Sequence, residues 1–396
     1  MENQNSVCYV ARINEIKPIE GADNIEQAVV GGWNCIVQKN TYKANDLVVV
    51  ATTDAIIPQE LSDKMNVTNY LRKGQRVRTV KLRGVYSECL LIPTKYIPGF
   101  GDVYYEGMDM MEKMGIFKWE PPVRVIQTSS GRKVKYKDNP LFSVYHKFPN
   151  LKNVPGLFTN EDMVEISRKI HGTNCRFGII RKAELTLWDR VRLFLNSTFG
   201  IGGDSWRWCG YEYFIGSHNV VKDIQSLKLF KKLFKKKTKT HFYSTDVWSE
   251  VADKLDIKNK LWKYAKQLGA KAVGEGIIIY GEIYGPGIQK NYDYGLKELA
   301  FAGFDVKWDG DYCNTYEAWE IITRKLELEM VPGLYVGEWS QEVQDKYVFD
   351  NFIEGTKIPH EGVVIKHISG DRQKVAKVIN PDYLIYSEKH DVGDSH

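Results

Sequence analysis

The sequence predicts a two-part α+β protein: an N-terminal OB-type β-barrel followed by a larger α+β domain with antiparallel sheets. Three observations lead there. The first hundred residues carry short β-branched runs at regular spacing, divided by Gly, Asn and Asp, the pattern of a small sandwich or barrel. From about residue 155 strand-like and helix-like stretches follow one another without the regular strand–helix–strand period of a parallel sheet. The length, 396 residues, allows two to three domains at roughly 150 residues each.

The elements follow in order. Residues 6–16 alternate as a strand, 28–37 and 47–52 are β-branched runs, and 76–93 form two strands around a turn at Gly84. A five-stranded OB-type barrel suits these lengths, and such barrels often bind single strands or oligonucleotides. This domain is expected over residues 1–115. Pro121-Pro122, Asn139-Pro140 and Phe148-Pro149 then interrupt any periodicity, and proline resists both helix and central strand. A surface-wrapping linker is expected over 116–155, carrying the basic residues Arg132, Lys133 and Lys135. Beyond it, 162–169 is strand-like with Val164 and Ile166 on one face. Residues 246–268 read as one helix, with Val247, Val251, Leu255, Leu261, Tyr264 and Leu268 near helical spacing, an acidic start and a stop at Gly269. Strands are expected over 273–284, 299–308, 361–366 and 374–379, and a second helix over 315–328. No internal repeat is present.

Composition removes several classes of function. The chain is 43% hydrophobic and 27% charged, as in a soluble globular protein. It contains no run of about 18 apolar residues, so no membrane span is expected. The polar start Met1-Glu2-Asn3-Gln4-Asn5 lacks a signal core. Cys8, Cys35, Cys89, Cys175, Cys209 and Cys313 are scattered without a C-x-x-C pair. They are expected to be plain thiols in an intracellular, reducing compartment (cytoplasmic or nuclear), not a zinc site. The net charge is +5. Seven lysines, Lys228, Lys231, Lys232, Lys235, Lys236, Lys237 and Lys239, fall within residues 226–240 with no acid among them; without them the rest of the chain is slightly negative. Leu227, Phe230, Leu233 and Phe234 lie at helical spacing there, so an amphipathic helix is expected. Its lysines suit a solvated face, a nucleic-acid backbone or a membrane surface.

Chemistry concentrates in five short motifs. In Lys169-Ile170-His171-Gly172-Thr173-Asn174 a lysine ends a strand and meets a glycine turn. An amine held in that way is a nucleophile once its pKa is depressed, which neighbouring lysines would do. In Tyr280-Gly281-Glu282-Ile283-Tyr284-Gly285 a carboxylate sits inside an apolar strand, either at an exposed edge or aimed at a ribose hydroxyl or a hydrated metal. Phe304, in Phe301-Ala302-Gly303-Phe304-Asp305-Val306, is either core or a platform for a base, a contact worth about 1–3 kcal/mol. Glu361-Gly362-Val363-Val364-Ile365-Lys366 and then Lys377 close the series. Glu361 and Lys366 are five apart, hence on opposite faces of an ideal strand. They share a cleft only at a strand end or across a twist. Taken singly, each motif also has an ordinary structural reading.

Their order resembles the covalent nucleotidyltransferase superfamily. Within it, KIHGTN and GEIYGPGIQKN resemble the ATP-dependent RNA ligases rather than DNA ligases or capping enzymes, over roughly residues 160–385. An OB-like domain ahead of the transferase domain is similar to one RNA ligase subgroup. The resemblance implies a nucleotidyltransferase (adenylyltransferase) domain over 156–396, ATP and Mg²⁺ or Mn²⁺ as cofactors, and RNA with 3′-OH and 5′-phosphate ends as partner, a nicked duplex among the candidates. It implies no membrane partner and a monomer. Lys169 would attack the ATP α-phosphorus to give a lysyl-AMP. Lys366 and Lys377 would neutralise the phosphate. Phe304 would stack on adenine, and Glu282 would hold the ribose. Glu282 and Glu361 would hold the hydrated metal. His171, Gly172, Asn174 and His218 would complete the nucleotide site. The departures are Arg168 where relatives often have Glu, His218 where a fixed cation is usual, His171 for Asp, and Lys377-Val378-Ile379 for a Lys-x-Lys ending. The same fold also serves DNA or mixed-nick ligases and other nucleotidyltransferases, and a decayed RNA-binding relative is a third reading.

Overall fold

The computed structural model describes residues 6–72, 74–97, 99, 104–119, 139–217, 221–222, 246–349 and 351–392. His218, the lysine-rich run and the basic residues 132–135 lie outside them.

The N-terminal strands are β1 Cys8–Pro18, β2 Ile25–Val30, β3 Trp33–Gln38, β4 Leu47–Thr52 and β5 Cys89–Ile92, in the antiparallel order β3-β2-β1-β4-β5. β1 is long enough to serve two neighbours. Its first half, Cys8–Arg12, pairs with β4 and its second, from Ile13, with β2, and a bulge between Ile13 and Glu15 bends the strand and raises its twist at the start of the second pairing. The curl brings β3 to β5 and the residues just before it, where the Glu88 N–H donates to the Asn34 carbonyl at 2.7 Å and the Ile36 N–H to Ser87 Oγ at 3.0 Å. This is a nearly closed OB barrel, with Ile13, Ala28, Val30, Trp33, Val50 and Leu91 packed together. The run expected over 28–37 proves to be parts of two strands, because Gly31 turns the chain with φ +57°. Residues 76–93 likewise hold three strands, Val80–Leu82, Val85–Ser87 and β5.

The second part holds two antiparallel sheets. One orders β11 Gly333–Glu338, β6 Met163–Lys169, β12 Gly362–His367 and β13 Val375–Ile379 as β11-β6-β12-β13. The other has four long strands, β8 Tyr211–Ser217, β7 Thr173–Arg181, β9 Gly276–Tyr284 and β10 Ala300–Trp308, in the order β8-β7-β9-β10, with a two-residue strand at each edge. Alternation along each strand gives each sheet two faces. Val164, Ile166, Val363, Ile365, Ala376 and Val378 form an apolar core on one face of the first sheet. Phe177, Ile179, Ile277, Ile279 and Phe301 do so on the second, under the helices Val247–Lys254 and Ile257–Leu268. The other two faces turn toward each other and bound a cleft.

Several elements differ from expectation for local reasons. The helix expected over 246–268 is two, because Asp256 adopts φ +53°, outside the right-handed helical region. Residues 315–328 start as an α-helix at Thr315–Trp319 and widen into a π turn over Glu320–Lys325. Part of the proline-rich stretch is buried: Phe142 and Tyr145 pack against Ile180, Phe214, Ile278 and Tyr280. The C-terminal helix Pro381–Lys389 faces the barrel through Glu388 with Arg78 (3.1 Å) and Asp382 with Lys81 (3.6 Å). Among the described residues no helix is long and apolar enough to cross a membrane.

Candidate active site

Lys169 is the last residue of β6, and the chain turns at once into β7. The turn needs its glycine: a Cβ on Gly172 would lie 2.3 Å from the Ile283 carbonyl oxygen and 2.8 Å from Glu282 Cγ. β7 and β9 thereby close on the turn, with Asn174 directly opposite Glu282 in the ladder. Glu282 shares its strand face with Ile278 and Tyr280, the face on the cleft side. Lys169 Nζ meets Glu361 Oε1 at 2.6 Å, and His171 Nδ1 lies 3.7 Å from the other oxygen of that carboxylate.

Register places the three lysines of the motifs together. Lys169 pairs with Gly362, Val364 with Lys377, and Lys366 with Val375. Paired residues project to the same side, as do residues two apart. Lys169, Lys366 and Lys377 therefore share the cleft face of the sheet, opposite its apolar core. Strict alternation would turn Glu361 away from this face. Gly362 prevents that: it takes φ +146°, with the site of a Cβ only 2.1 Å from the Val378 carbonyl oxygen, a conformation open to glycine alone. The carboxylate before it swings to Lys169, and the conflict in spacing between Glu361 and Lys366 is resolved.

A second irregularity serves Phe304. Tyr280 pairs with Asp305 and Gly281 with Gly303, so Phe304 is the extra residue of a β-bulge, a device that re-aims side chains beside functional sites. Its ring lies near Ile170, Ala302, Met330 and Val331. Its carbonyl accepts from Lys366 Nζ at 2.6 Å. Asp305 turns inward and is 1% exposed. It receives Lys366 Nζ at 3.2 Å, both Arg372 terminal nitrogens at 2.5 and 3.0 Å, and the Tyr145 hydroxyl at 2.7 Å. Burial works to raise the Asp305 carboxyl, but Lys366 and Arg372 outweigh it and hold it below the ordinary carboxylate range. Burial lowers His146, beside this cluster, to about 4, with Arg372 adding to the effect. Burial does the same to His360, with Arg168 next to it.

Sequence reasoning missed Asp305, Arg372 and Tyr145 as a unit, and also Gln289, Tyr292 and Tyr294, which grip the turn after Lys169. An acid beside Phe304 was visible, but no pattern linked it to an arginine 67 residues away. Among the described residues no three His, Cys, Asp or Glu side chains gather to enclose a metal. What is present is sparser: Glu361 Oε2 is buried without a hydrogen-bond partner, and Glu282 lies against the same turn. Such a donor set fits a Mg²⁺ or Mn²⁺ ion that keeps most of its water and takes phosphate oxygens, not a protein-enclosed metal.

The chain matches two family models, an OB-fold domain over residues 7–94 and RNA ligase over residues 162–379. No curated protein gives a match. Among solved structures it is similar to Naegleria gruberi RNA ligase with PPi, at 22% identity and a TM-score of 0.64, covering 98% of this chain and 99% of that one. It is also similar to mutants of that ligase. A lysine-to-alanine mutant with ATP and Mn gives 21% identity, a TM-score of 0.65 and coverage of 96% and 98%. A glutamate-to-alanine mutant with AMP and Mn gives 21%, 0.65 and coverage of 96% and 99%. At that identity the solved structures speak for the fold, an OB domain followed by a ligase domain, while the RNA ligase model spans more than half of the sequence and takes in the cleft: the chain belongs to the RNA ligase family.

Proposed function

We propose that the protein is an ATP-dependent RNA ligase that joins 3′-OH and 5′-phosphate ends through a lysyl-AMP intermediate. The observation that carries this reading is Lys169 at a strand end, against Glu361, on the same sheet face as Lys366 and Lys377. In the first step the Lys169 amine attacks the α-phosphorus of ATP, a P–N bond forms and pyrophosphate leaves with the bridging oxygen. Glu361 is the group placed to accept the proton that the ammonium must lose. In the second step an oxygen of the RNA 5′-phosphate displaces the lysine, which recovers its proton. In the third the 3′-OH attacks the RNA 5′-phosphorus and AMP leaves.

Lys366 and Lys377 stabilise the charge that builds on the α-phosphate, the largest kind of contribution in such sites. Phe304 offers its ring to the adenine, and Asn174, Gly172 and His171 shape the turn beneath the phosphate. His218, in the same reading, adds a further contact. Glu282 and Glu361 would hold a hydrated Mg²⁺ or Mn²⁺, which when bound relieves the charge of the phosphate oxygens. The domain limits in this reading are 1–115, 116–155 and 156–396. The protein works as a monomer in a reducing intracellular compartment, in keeping with six free cysteines.

The test is incubation with labelled ATP, GTP or NAD⁺ and a divalent metal. Acid-stable label from ATP that disappears in Lys169→Met is the expected result. No label from any nucleotide would overturn the proposal. Nicked duplexes ending in ribose or deoxyribose then separate RNA sealing from DNA sealing.

A further inference from the structure

We infer that the loop between β9 and β10 positions the reacting turn, with Gln289 and Tyr294 as positioning residues for the bond that Lys169 makes. The inference rests on the lysyl-AMP reading above. Gln289 is 4% exposed, and its Nε2 donates to the Gly172 carbonyl at 2.6 Å. The Tyr294 hydroxyl oxygen accepts from the His171 N–H, also at 2.6 Å. Both contacts fall on backbone of the short turn between β6 and β7, at residues two and three positions after Lys169.

The same loop reaches the other partner of Lys169. The Tyr292 hydroxyl donates to the Pro359 carbonyl at 2.7 Å, two residues before Glu361, while its ring meets His171 edge-on at 5.4 Å. One segment thus fixes the turn after the nucleophile and the approach to the carboxylate that faces it. Its backbone bears the cost of that shape. Asn291 and Tyr294 both take φ +59°, a region that an aromatic residue rarely enters and that surroundings must impose. Tyr294 is held there while its hydroxyl meets the turn.

The reason such a template matters is geometric. The amine must approach phosphorus within about 3–3.5 Å and in line with the leaving pyrophosphate, and a shift of about 1 Å costs on the order of 100-fold in rate. Loosening the turn therefore slows the bond to Lys169. It leaves the last step, joining a strand already adenylylated at its 5′ end, because that step makes no bond to Lys169.

Tyr294→Phe removes the accepting oxygen and keeps the ring. Gln289→Met keeps length and removes the donor. The full chain is measured in two assays: single-turnover transfer of label from ATP, and sealing of a 5′-adenylylated RNA strand without ATP. Each variant is expected to slow label transfer by about 10- to 100-fold at saturating ATP, with half-saturation moved by less than about threefold. Sealing of the adenylylated strand stays near wild type. The double variant is expected to be little worse than the worse single one, since both hold one turn. Unchanged label transfer overturns the inference, and so does a parallel loss of both assays, which would mean general damage. If Gln289→Met does not fold, Tyr294→Phe decides alone. A wild-type protein that takes no label refutes the lysyl-AMP reading instead.

Discussion

Two lysines on one face of one sheet sit in opposite settings. Lys169 ends its strand, keeps about a quarter of its side chain in solvent (24%) and faces Glu361. Lys366 lies inside its strand at 9% exposure, bound to the Phe304 carbonyl and to Asp305, which is itself held by Arg372 and Tyr145. The difference suits the two kinds of work proposed for them. An amine that forms a bond must shed a proton and advance, so it needs a partner it can leave. A charge that steadies a phosphate must neither titrate nor move, so it is tied into a buried network whose carboxylate stays ionised.

The sharpest way to break this contrast is to keep the charge and change the chemistry. Arginine is always protonated in proteins and cannot serve as the amine nucleophile. Lys169→Arg is expected to take no label from ATP. Lys366→Arg keeps a cation at the phosphate and is expected to retain labelling at roughly 1–10% of wild type. Label on Lys169→Arg, or complete loss in Lys366→Arg with a normal melting curve, would erase the distinction between the two.

The next effect is on stability. Asp305→Ala leaves Lys366 and Arg372 in a buried site without the carboxylate that binds both of them. Breaking a buried ion pair in this way costs about 3–5 kcal/mol. Urea denaturation should show that loss, whereas Glu361→Gln, at the looser end of the cleft, should cost less than about 1.5 kcal/mol.

A smaller effect divides the ends by pH. His146 near Lys366 and His360 beside Glu361 are both lowered from 6.5 to about 4, chiefly by burial. Between those values the unfolded chain binds protons that the folded protein refuses. Stability therefore falls as pH drops from 6.5 toward 4, by about 1–2 kcal/mol for each histidine after allowing for partial exposure. Asp305 works in the same direction but at lower pH. Its carboxyl is held below its ordinary value of 3.8, so its contribution holds through this window and is lost as the pH falls below that value. Melting curves of His146→Gln and His360→Gln should each flatten part of the slope between pH 6.5 and 4.

The sequence carried the two-part architecture because spacing and β-branched runs report strands directly. It also made Lys169, Gly172 and Glu361 stand out, at a strand end, in the turn after it and just before a strand, each at or near a distinctive glycine. What it hid depended on contacts across long separations or on single backbone angles. Tyr145 and Asp305 meet across 160 residues. The helix over 246–268 breaks at one residue, Asp256, whose apolar neighbours keep helical spacing on both sides. Strict alternation wrongly separates Glu361 from the lysine face, because one glycine at φ +146° overrides it.

The mildest predicted effect concerns lysines that act by number instead of by position. The run over 226–240 lies outside the described residues, but its charge is plain from the sequence. In the proposed mechanism Lys169 and Lys366 each act at one place, and a single substitution removes that action. Seven lysines spread over fifteen residues suit a diffuse contact with phosphates, in which each displaces a counterion and adds about 0.7 to the salt slope for a single strand. Replacing Lys231, Lys232, Lys235 and Lys236 by Gln is expected to lower that slope by up to about 3 and to weaken RNA binding most at low salt. Labelling by ATP alone should stay at wild-type rate, because no RNA enters that step. A salt series with unchanged slope would return the run to a solvated surface; a loss of ATP labelling would bring these lysines into the same class as Lys366.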